Sequence, residues 1–190
     1  MTSRPTSPRR GNCLAPTDIA LLGNPLDFLA EDHLRIRTMC AEIDRLAQAA
    51  TVETAEARAV LDFLTEELPF LIEDEDCDLL PLLIRRSAPE DEMHRLKARL
   101  DQDHARIVGR LSDVVAVFAV LSENGGRIPE AQREALRDFS ADIRDHLLLE
   151  NAIVLPFARL RLSEGDLDSL GLCMLQRRGL DRVMGADDAE

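Results

Sequence analysis

Apolar residues recur at alternating spacings of three and four through most of the chain, which is the period of an amphipathic helix. The first periodic segment begins at Asn24-Pro25, a helix N-cap followed by a proline suited to the first helical position, and runs to about Ala49. The second covers residues 53–86 and contains Pro69, which predicts a kink or a break inside that helix.

A third periodic segment opens at residues 87–90, where Ser-Ala-Pro-Glu has the form of a capping box, and extends to about Ser122. After the turn sequence Glu-Asn-Gly-Gly at 123–126, a fourth runs from near Pro129 to Leu160. A shorter amphipathic segment at 163–178 is expected to pack on the others. The pattern predicts an all-α protein, an antiparallel up-down-up-down four-helix bundle with a short extra C-terminal helix.

Composition agrees with this class and suggests a simple division of the chain. The 190 residues are 45% hydrophobic and 31% charged, values typical of one globular domain. We predict a flexible N-terminal arm at 1–24, which is rich in Pro, Ser, Thr and Arg, and the bundle at 25–160. A short C-terminal helix and an acidic tail would then occupy 161–190.

Charge and cysteine usage limit which binding partners and which cellular compartment we expect. The formal net charge of −13 at pH 7 repels phosphates, so nucleic acid and anionic membrane surfaces are not expected partners. No apolar run has the length of a secretory signal or a membrane span. The four cysteines form no CxxC pair, which favours reduced thiols. We therefore expect a cytoplasmic protein.

Polar residues interrupt each of the four long apolar stripes at positions where leucine is the ordinary choice. Three of the four histidines and two glutamates do so, namely His33, Glu75, His104, His146 and Glu150. An ionised carboxylate in such a core costs several kcal/mol unless it is paired or bound to a cation. Histidine and a metal ion are the available partners for these glutamates.

The predicted topology brings these interruptions to one level. In an antiparallel bundle the starts of helices one and three and the ends of helices two and four meet at one end. At about 1.5 Å per residue, the five positions lie roughly 12 to 24 Å from that end, which agrees within the error of the boundaries. His146 and Glu150 are four residues apart and point to the same side of their helix.

Imidazole and carboxylate donors inside a helix bundle suit iron first, with manganese and zinc as alternatives. Calcium and magnesium are disfavoured by the nitrogen donors. The competing interpretation is a buried, metal-free hydrogen-bond network of the same histidines and glutamates. Three histidines at matched depth favour the metal.

With these residues in order, residues 25–160 resemble the hemerythrin-like, or HHE cation-binding, domain. That family has a lone histidine on helices one and three and an HxxxE motif on helices two and four, with a Leu-Pro step after each glutamate. The corresponding residues here are His33, Glu75 with Leu80-Pro81, His104, and His146 and Glu150 with Leu155-Pro156. The resemblance implies a non-haem diiron site and the five metal ligands named above.

One position departs from the family pattern. Leu71 stands four residues before Glu75, where the histidine of helix two is expected, so six ligands become five. Three outcomes stay open. The site holds two irons with an open position, holds one ion mainly through His104, His146 and Glu150, or has lost its metal.

Other polar residues near the site have ordinary interpretations. Asp74 or Asp78 is a candidate replacement oxygen donor, although acidic runs such as this one usually form a solvated face. Glu73 and Asp76 are assigned to that acidic exterior. His94 falls off the stripe of helix three and is predicted to lie on the surface.

The resemblance implies binding or sensing of O2 or NO, or iron handling. A second hypothesis is a degenerate, metal-free bundle that acts as a regulatory or protein-interaction module. A third is an enzyme, a diiron peroxidase or oxidase, but no acid and base pair arranged for hydrolysis is visible. The sequence identifies no protein partner and no oligomeric state.

Overall fold

The structure is a computed structural model that describes residues 15–180 of the chain. Within this range all regular structure is helical, and the only β pairing is an isolated bridge. The five main helices are α1 (Pro25–Gln48), α2 (residues 54–86), α3 (Met93–Asn124), α4 (residues 130–161) and α5 (Glu164–Arg177). The predicted all-α class is confirmed, and each predicted helix is present within a few residues of its expected bounds.

The four long helices enclose a single apolar core. Helix α1 packs on α4, α2 packs on α3, and α3 also packs on α4. Three phenylalanines, Phe63, Phe118 and Phe139, are among the largest fully buried side chains. Burial of such stripes, rather than helix propensity alone, supplies most of the stability of helices of this kind.

The loops after α1 and α3 meet at one end of the bundle. Val52 and Gly126 exchange backbone hydrogen bonds of 2.7 and 3.0 Å across this contact. Gly125 and Gly126 have φ values of 60° and 118°, which favour glycine. A Cβ at Gly125 would also lie 3.1 Å from the carbonyl oxygen of Val52. The predicted Gly-Gly turn is therefore required by both backbone angle and space.

Each Leu-Pro step inside a helix is preceded by a π-helical turn. The turns are Phe63–Glu67 before Pro69, Asp74–Leu79 before Pro81, and Glu150–Val154 before Pro156. Proline has no N–H and its ring clashes with the carbonyl of the preceding turn, so a wider turn lets the helix continue. Helix α2 runs on through Pro69, and a break at that residue is therefore wrong. We call the second and third of these segments the Glu75 turn and the Glu150 turn.

The start of α3 differs from the expected capping box. The backbone N–H of Ala88 donates to the Asp91 carboxylate at 2.7 Å, so Asp91 rather than Glu90 supplies the cap. This cap closes a separate 3-10 turn, Pro89–Asp91. Glu92 then adopts a left-handed conformation with φ of 50°, and α3 begins only at Met93. The backbone reversal at Glu92 is why the helix starts later than predicted.

The chain on either side of the bundle packs together beside α1. A 3-10 turn, Ile19–Gly23, buries Leu22 and contacts both α1 and α5. Gly171 of α5 gives this turn room, since a Cβ there would lie 3.2 Å from the Leu22 carbonyl oxygen. The predicted C-terminal helix is confirmed as α5, with Ser163 as its N-cap.

Residues 15–24 of the predicted arm thus include a docked turn, while the rest of the arm and the acidic tail lie outside the described residues. Among residues 15–180, no helix combines the length and apolar character that a bilayer crossing requires.

Candidate metal centre

The five predicted ligands lie together inside the bundle. Each is at most 3% exposed, and together they come from α1, α2, α3 and α4. Glu75, His104, His146 and Glu150 each offer one donor atom, and these four atoms lie within 4.8 Å of one another. His33 contacts the same group through both glutamates. Metal binding by these residues stays a prediction, but their convergence is an observation.

The carboxylate of Glu75 lies between the histidines. Its Oε1 is 3.2 Å from the Nε2 of His33, and its Oε2 is 3.2 Å from the Nε2 of His104. Oε2 of Glu150 is 3.1 Å from the Nε2 of His146 and 3.5 Å from that of His33. The cluster therefore has one side with two imidazoles, those of His104 and His146, and another side with only that of His33.

The hydrogen bond on the outer side of His33 determines which of its nitrogens carries the proton. The amide group of Asn151 donates to the Leu147 carbonyl at 2.7 Å, which sets the orientation of that amide. Its oxygen then faces the Nδ1 of His33 at 3.3 Å and accepts a hydrogen bond from it. In the neutral imidazole the Nε2 therefore carries a lone pair directed at the cluster.

His104 is oriented in the same way by a carboxylate. Its Nδ1 lies 2.9 Å from the Oδ1 of Asp76, which accepts the hydrogen bond and leaves Nε2 facing inward. A carboxylate on the outer nitrogen fixes the ring orientation and makes the inner nitrogen a better metal ligand. Sequence reasoning assigned Asp76 to the acidic exterior and did not consider Asn151. The available signal was that a polar Asp or Asn directly follows each glutamate.

Several polar atoms on the inner side of the cluster lack hydrogen-bond partners among the described residues. The Nε2 atoms of His104 and His146 face each other at 3.0 Å. Oε2 of Glu75 and both carboxylate oxygens of Glu150 are buried and accept no hydrogen bond within the described residues. Buried carboxylate oxygens without a hydrogen-bond partner need a cation nearby, and protonated histidines or a metal ion can supply it. The donor set suits iron, manganese or zinc, and so the residues present fit a metal.

Neighbouring charges in the cluster raise the pKa values of its histidines and lower that of Glu75, so that the histidines retain positive charge in the absence of metal. Burial lowers the pKa of His146, but its contacts with Glu150 and Glu75 outweigh this and raise the pKa to about 10. The pKa values of His33 and His104 are also raised by their carboxylate neighbours, against burial. Burial raises the pKa of Glu75, yet the three histidines hold it well below its usual range.

Glu150 behaves differently from Glu75. Burial and then the negative charge of Glu75 raise its pKa, and the histidines offset this only in part. Without metal, the cluster therefore balances its charge with protons on the histidines. A bound divalent or trivalent cation would take over this role and release those protons.

The surroundings of Glu75 differ from the family pattern. Leu71 is buried, at 2% exposure, one helical turn before Glu75. Asp74 and Asp78, the candidate replacement donors, form ion pairs with arginines of α5 or its C-cap. Their carboxylates are therefore engaged on the side of α2 that faces α5. His94 is exposed, as predicted.

The fold and the site together define an all-helical protein with a buried cluster of imidazoles and carboxylates that can hold metal. A family model, the hemerythrin HHE cation binding domain, matches residues 24–158. The chain belongs to this family. Among curated proteins, no sequence matches it.

Proposed function

We propose that this chain is a hemerythrin-like non-haem iron protein whose buried centre binds a diatomic ligand, O2 or NO. The observation that carries the proposal is the convergence of five buried imidazole and carboxylate side chains, three of whose carboxylate oxygens have no hydrogen-bond partner among the described residues. A single buried histidine is usually satisfied by a hydrogen bond, but this cluster leaves several atoms unsatisfied at once. The family assignment supports a cation as the missing partner.

The two sides of the cluster have different roles in this proposal. His104 and His146, with Glu75 and Glu150, hold the first ion, since these four donors lie closest together. His33 and the free edges of the two glutamates form the second position, which has one imidazole because Leu71 replaces the other. Iron held by such residues supplies reversible binding of O2 or NO. The missing donor leaves room for that ligand at the second position.

The remaining parts of the fold prepare the site. The apolar core around it excludes water, and Asp76 and Asn151 keep two imidazoles turned inward.

We also propose that the four long helices have the antiparallel up-down-up-down arrangement. It is supported by hydrogen bonds from Arg159 to the carbonyl of Leu26 and from Arg133 to that of Ala49, at opposite ends of α1. The cytoplasmic location stays a prediction from the sequence.

The direct test is the iron content of full-length protein loaded with ferrous iron under anaerobic conditions. We expect about one ion per chain, retained through gel filtration, because one side of the cluster keeps two imidazoles. The double variant His104→Ala/His146→Ala is the matched control and should retain none. Less than about 0.1 ion per chain in the unmodified protein would contradict the proposal.

Replacement of Leu71 tests the second position. Leu71→His adds the donor that the family pattern has there, and iron content should rise towards about two ions per chain. Leu71→Ala is the control for changed packing and should leave the content unchanged. No rise in the histidine variant would show that α2 does not direct this position at the cluster.

One observation favours the alternative, a metal-free module for regulation or protein interaction. The raised histidine pKa values and the lowered pKa of Glu75 allow the cluster to balance its charge with protons alone. The two hypotheses differ in the effect of a chelator on melting. The iron protein should lose about 2 to 3 kcal/mol of stability when metal at 100 times its Kd is removed, whereas the metal-free module should not change.

A further inference from the structure

The end of α5 is fastened to α2 directly beside the cluster. Arg177 and its neighbour Arg178 both pair with Asp74, whose carboxylate is fully buried. Arg178 binds one Asp74 oxygen at 2.7 Å and the other at 3.2 Å. Arg177 also reaches Asp78 at 2.5 Å. Charge-assisted, two-pronged contacts of this kind are among the strongest in proteins.

Arg178 is held in place by groups from three parts of the chain. Its guanidinium lies over the rings of Phe28 in α1 and Phe70 in α2, at 5.1 and 5.3 Å from the ring centres. It also donates to the carbonyl of Met174 at 2.9 Å. Stacking on two rings fixes the plane of the guanidinium, which an ammonium group would not achieve. We call these residues, Asp74, Arg177, Arg178, Phe28 and Phe70, the C-terminal clasp.

Asp74 connects this clasp to the candidate ligand. It is the first residue of the Glu75 turn, and Glu75 follows it directly. A carboxylate at 0% exposure needs cationic partners, since loss of one partner from a buried pair costs several kcal/mol. The position of Asp74, and with it the direction of Glu75, therefore depends on the arginines.

We propose that Arg178, acting through Asp74, is a positioning residue for the metal centre, so that α5 sets the carboxylate of Glu75. This inference rests on the proposed function. Its consequence is that metal affinity depends on a contact between α5 and α2 that touches none of the five donors. Helix α5 would thus support the site although it supplies none of the candidate ligands.

The experiment measures how fast full-length, metal-loaded protein releases Co2+ to a chelator, and records the Co2+ visible spectrum. Arg178→Ala should release the ion about 10-fold faster and change the spectrum, because Glu75 is no longer held in place. Arg178→Lys keeps the charge but not the stacked, two-pronged contact, and should recover only part of the loss.

Arg86→Ala is the matched control. Arg86 fastens the opposite end of α5 through Asp166, with contacts of 2.9 and 2.8 Å, and lies eleven residues from Glu75. The Arg86→Ala substitution loosens α5 without touching the clasp. The rate of Co2+ release and the Co2+ spectrum should therefore stay those of the unmodified protein. Equal release from the Arg178→Ala and Arg86→Ala variants would overturn the proposal.

A double-mutant cycle tests the route through Asp74. Asp74→Asn removes the buried charge and should also speed release, while the double variant with Arg178→Ala should be no worse than the single ones. Additive effects would overturn the route. Should Arg178→Ala fail to fold, Asp74→Asn and Arg178→Lys carry the same comparison. Phe118→Leu, at a buried site far along α3, shows the effect of general destabilisation alone.

Failure of the metal proposal is distinguishable from failure of this one. If the unmodified protein binds no Co2+ or iron, the proposed function is wrong. If it binds metal and the Arg178 and Asp74 variants match the Arg86 control, only the positioning role is wrong.

Discussion

The Glu75 turn and the Glu150 turn are built alike but are supported differently. Each is a π turn that ends at a Leu-Pro step, and each presents a buried glutamate to the same cluster. Four residues earlier, α4 carries His146 whereas α2 carries Leu71. The same local geometry therefore delivers two donors on one side of the bundle and one donor on the other.

The outer surfaces of the two turns differ as well. The Glu75 turn is covered by α5 and fixed through Asp74. Near the Glu150 turn the outer face of α4 is exposed among the described residues, with Leu148 and Ile153 at 69% and 45% exposure. The Glu75 turn, whose helix supplies only one donor, is thus the turn that a neighbouring helix contacts on its outer side. We infer that the Glu150 turn is positioned by its own helix, whereas the Glu75 turn also depends on a neighbouring element.

The largest expected effect comes from making α4 resemble α2. His146→Leu gives α4 the residue that α2 has at the matching position. It removes one of the two imidazoles from the side of the cluster that contains both His104 and His146. Iron content after anaerobic loading should fall below about 0.1 ion per chain, since no pair of histidines remains there. His94→Leu is the control on an exposed histidine and should bind as before.

The pH dependence of stability should separate the metal-free cluster from the loaded one. The folded pKa of His146, about 10, lies above its ordinary value of 6.5. Its stabilising contribution is therefore complete below the ordinary value and is lost as the pH rises from there to about 10. Urea denaturation of metal-free protein should show this loss, of the order of a few kcal/mol.

The metal affinity of the protein should depend on pH in the opposite direction and decrease towards acidic pH. Metal binding needs neutral imidazoles, so affinity should fall as the pH drops below the range where the histidines lose their protons. Metal-free stability that is flat between pH 6.5 and 10 would contradict the assigned proton balance.

A smaller effect is expected from the residues that follow the two glutamates. Asp76→Ala removes a carboxylate from His104 and should weaken metal binding about 10-fold. Asn151→Ala removes a neutral amide from His33 and should weaken it less, about 3-fold, since the hydrogen bond it loses is not charge-assisted. Titration with Co2+ measures both affinities. The reverse order would show that His33 contributes more than His104.

The smallest expected effect lies at the other end of the bundle. Gly126→Ala introduces a side chain at a φ of 118° and should lower the free energy of unfolding by about 1 kcal/mol. Metal affinity should not change, because the turn contacts Val52 and not the cluster. A changed metal affinity in this variant would show that the two ends of the bundle are coupled.

Much of this fold could be predicted because helical period is a local property of the sequence. The stripes identified the helices, and the polar interruptions at His33, His104 and Glu150 were visible as missing leucines. The π turns were not predicted, because a proline inside a periodic segment does not show whether the helix kinks, breaks or widens. Only the structure shows that each Leu-Pro step follows a widened turn.

The supporting residues were missed for a different reason. Within the acidic run 73–78, Glu73 is exposed and Asp74 is fully buried, although both are acidic residues in the same run. The difference depends on Arg177 and Arg178, which lie about a hundred positions later and meet α2 only after α5 docks. Asp76 likewise acquires its role from His104 on another helix. Pairings between distant elements do not appear in the period of one segment.

Our central proposal is that the buried cluster holds the metal through imidazoles. X-ray absorption spectroscopy at the iron edge of anaerobically loaded protein tests this most directly. We predict about one tightly held ion per chain whose spectrum contains imidazole scattering, and too little iron in the His146→Leu variant to give that spectrum. Iron with oxygen ligands only, or an unchanged spectrum in that variant, would contradict it.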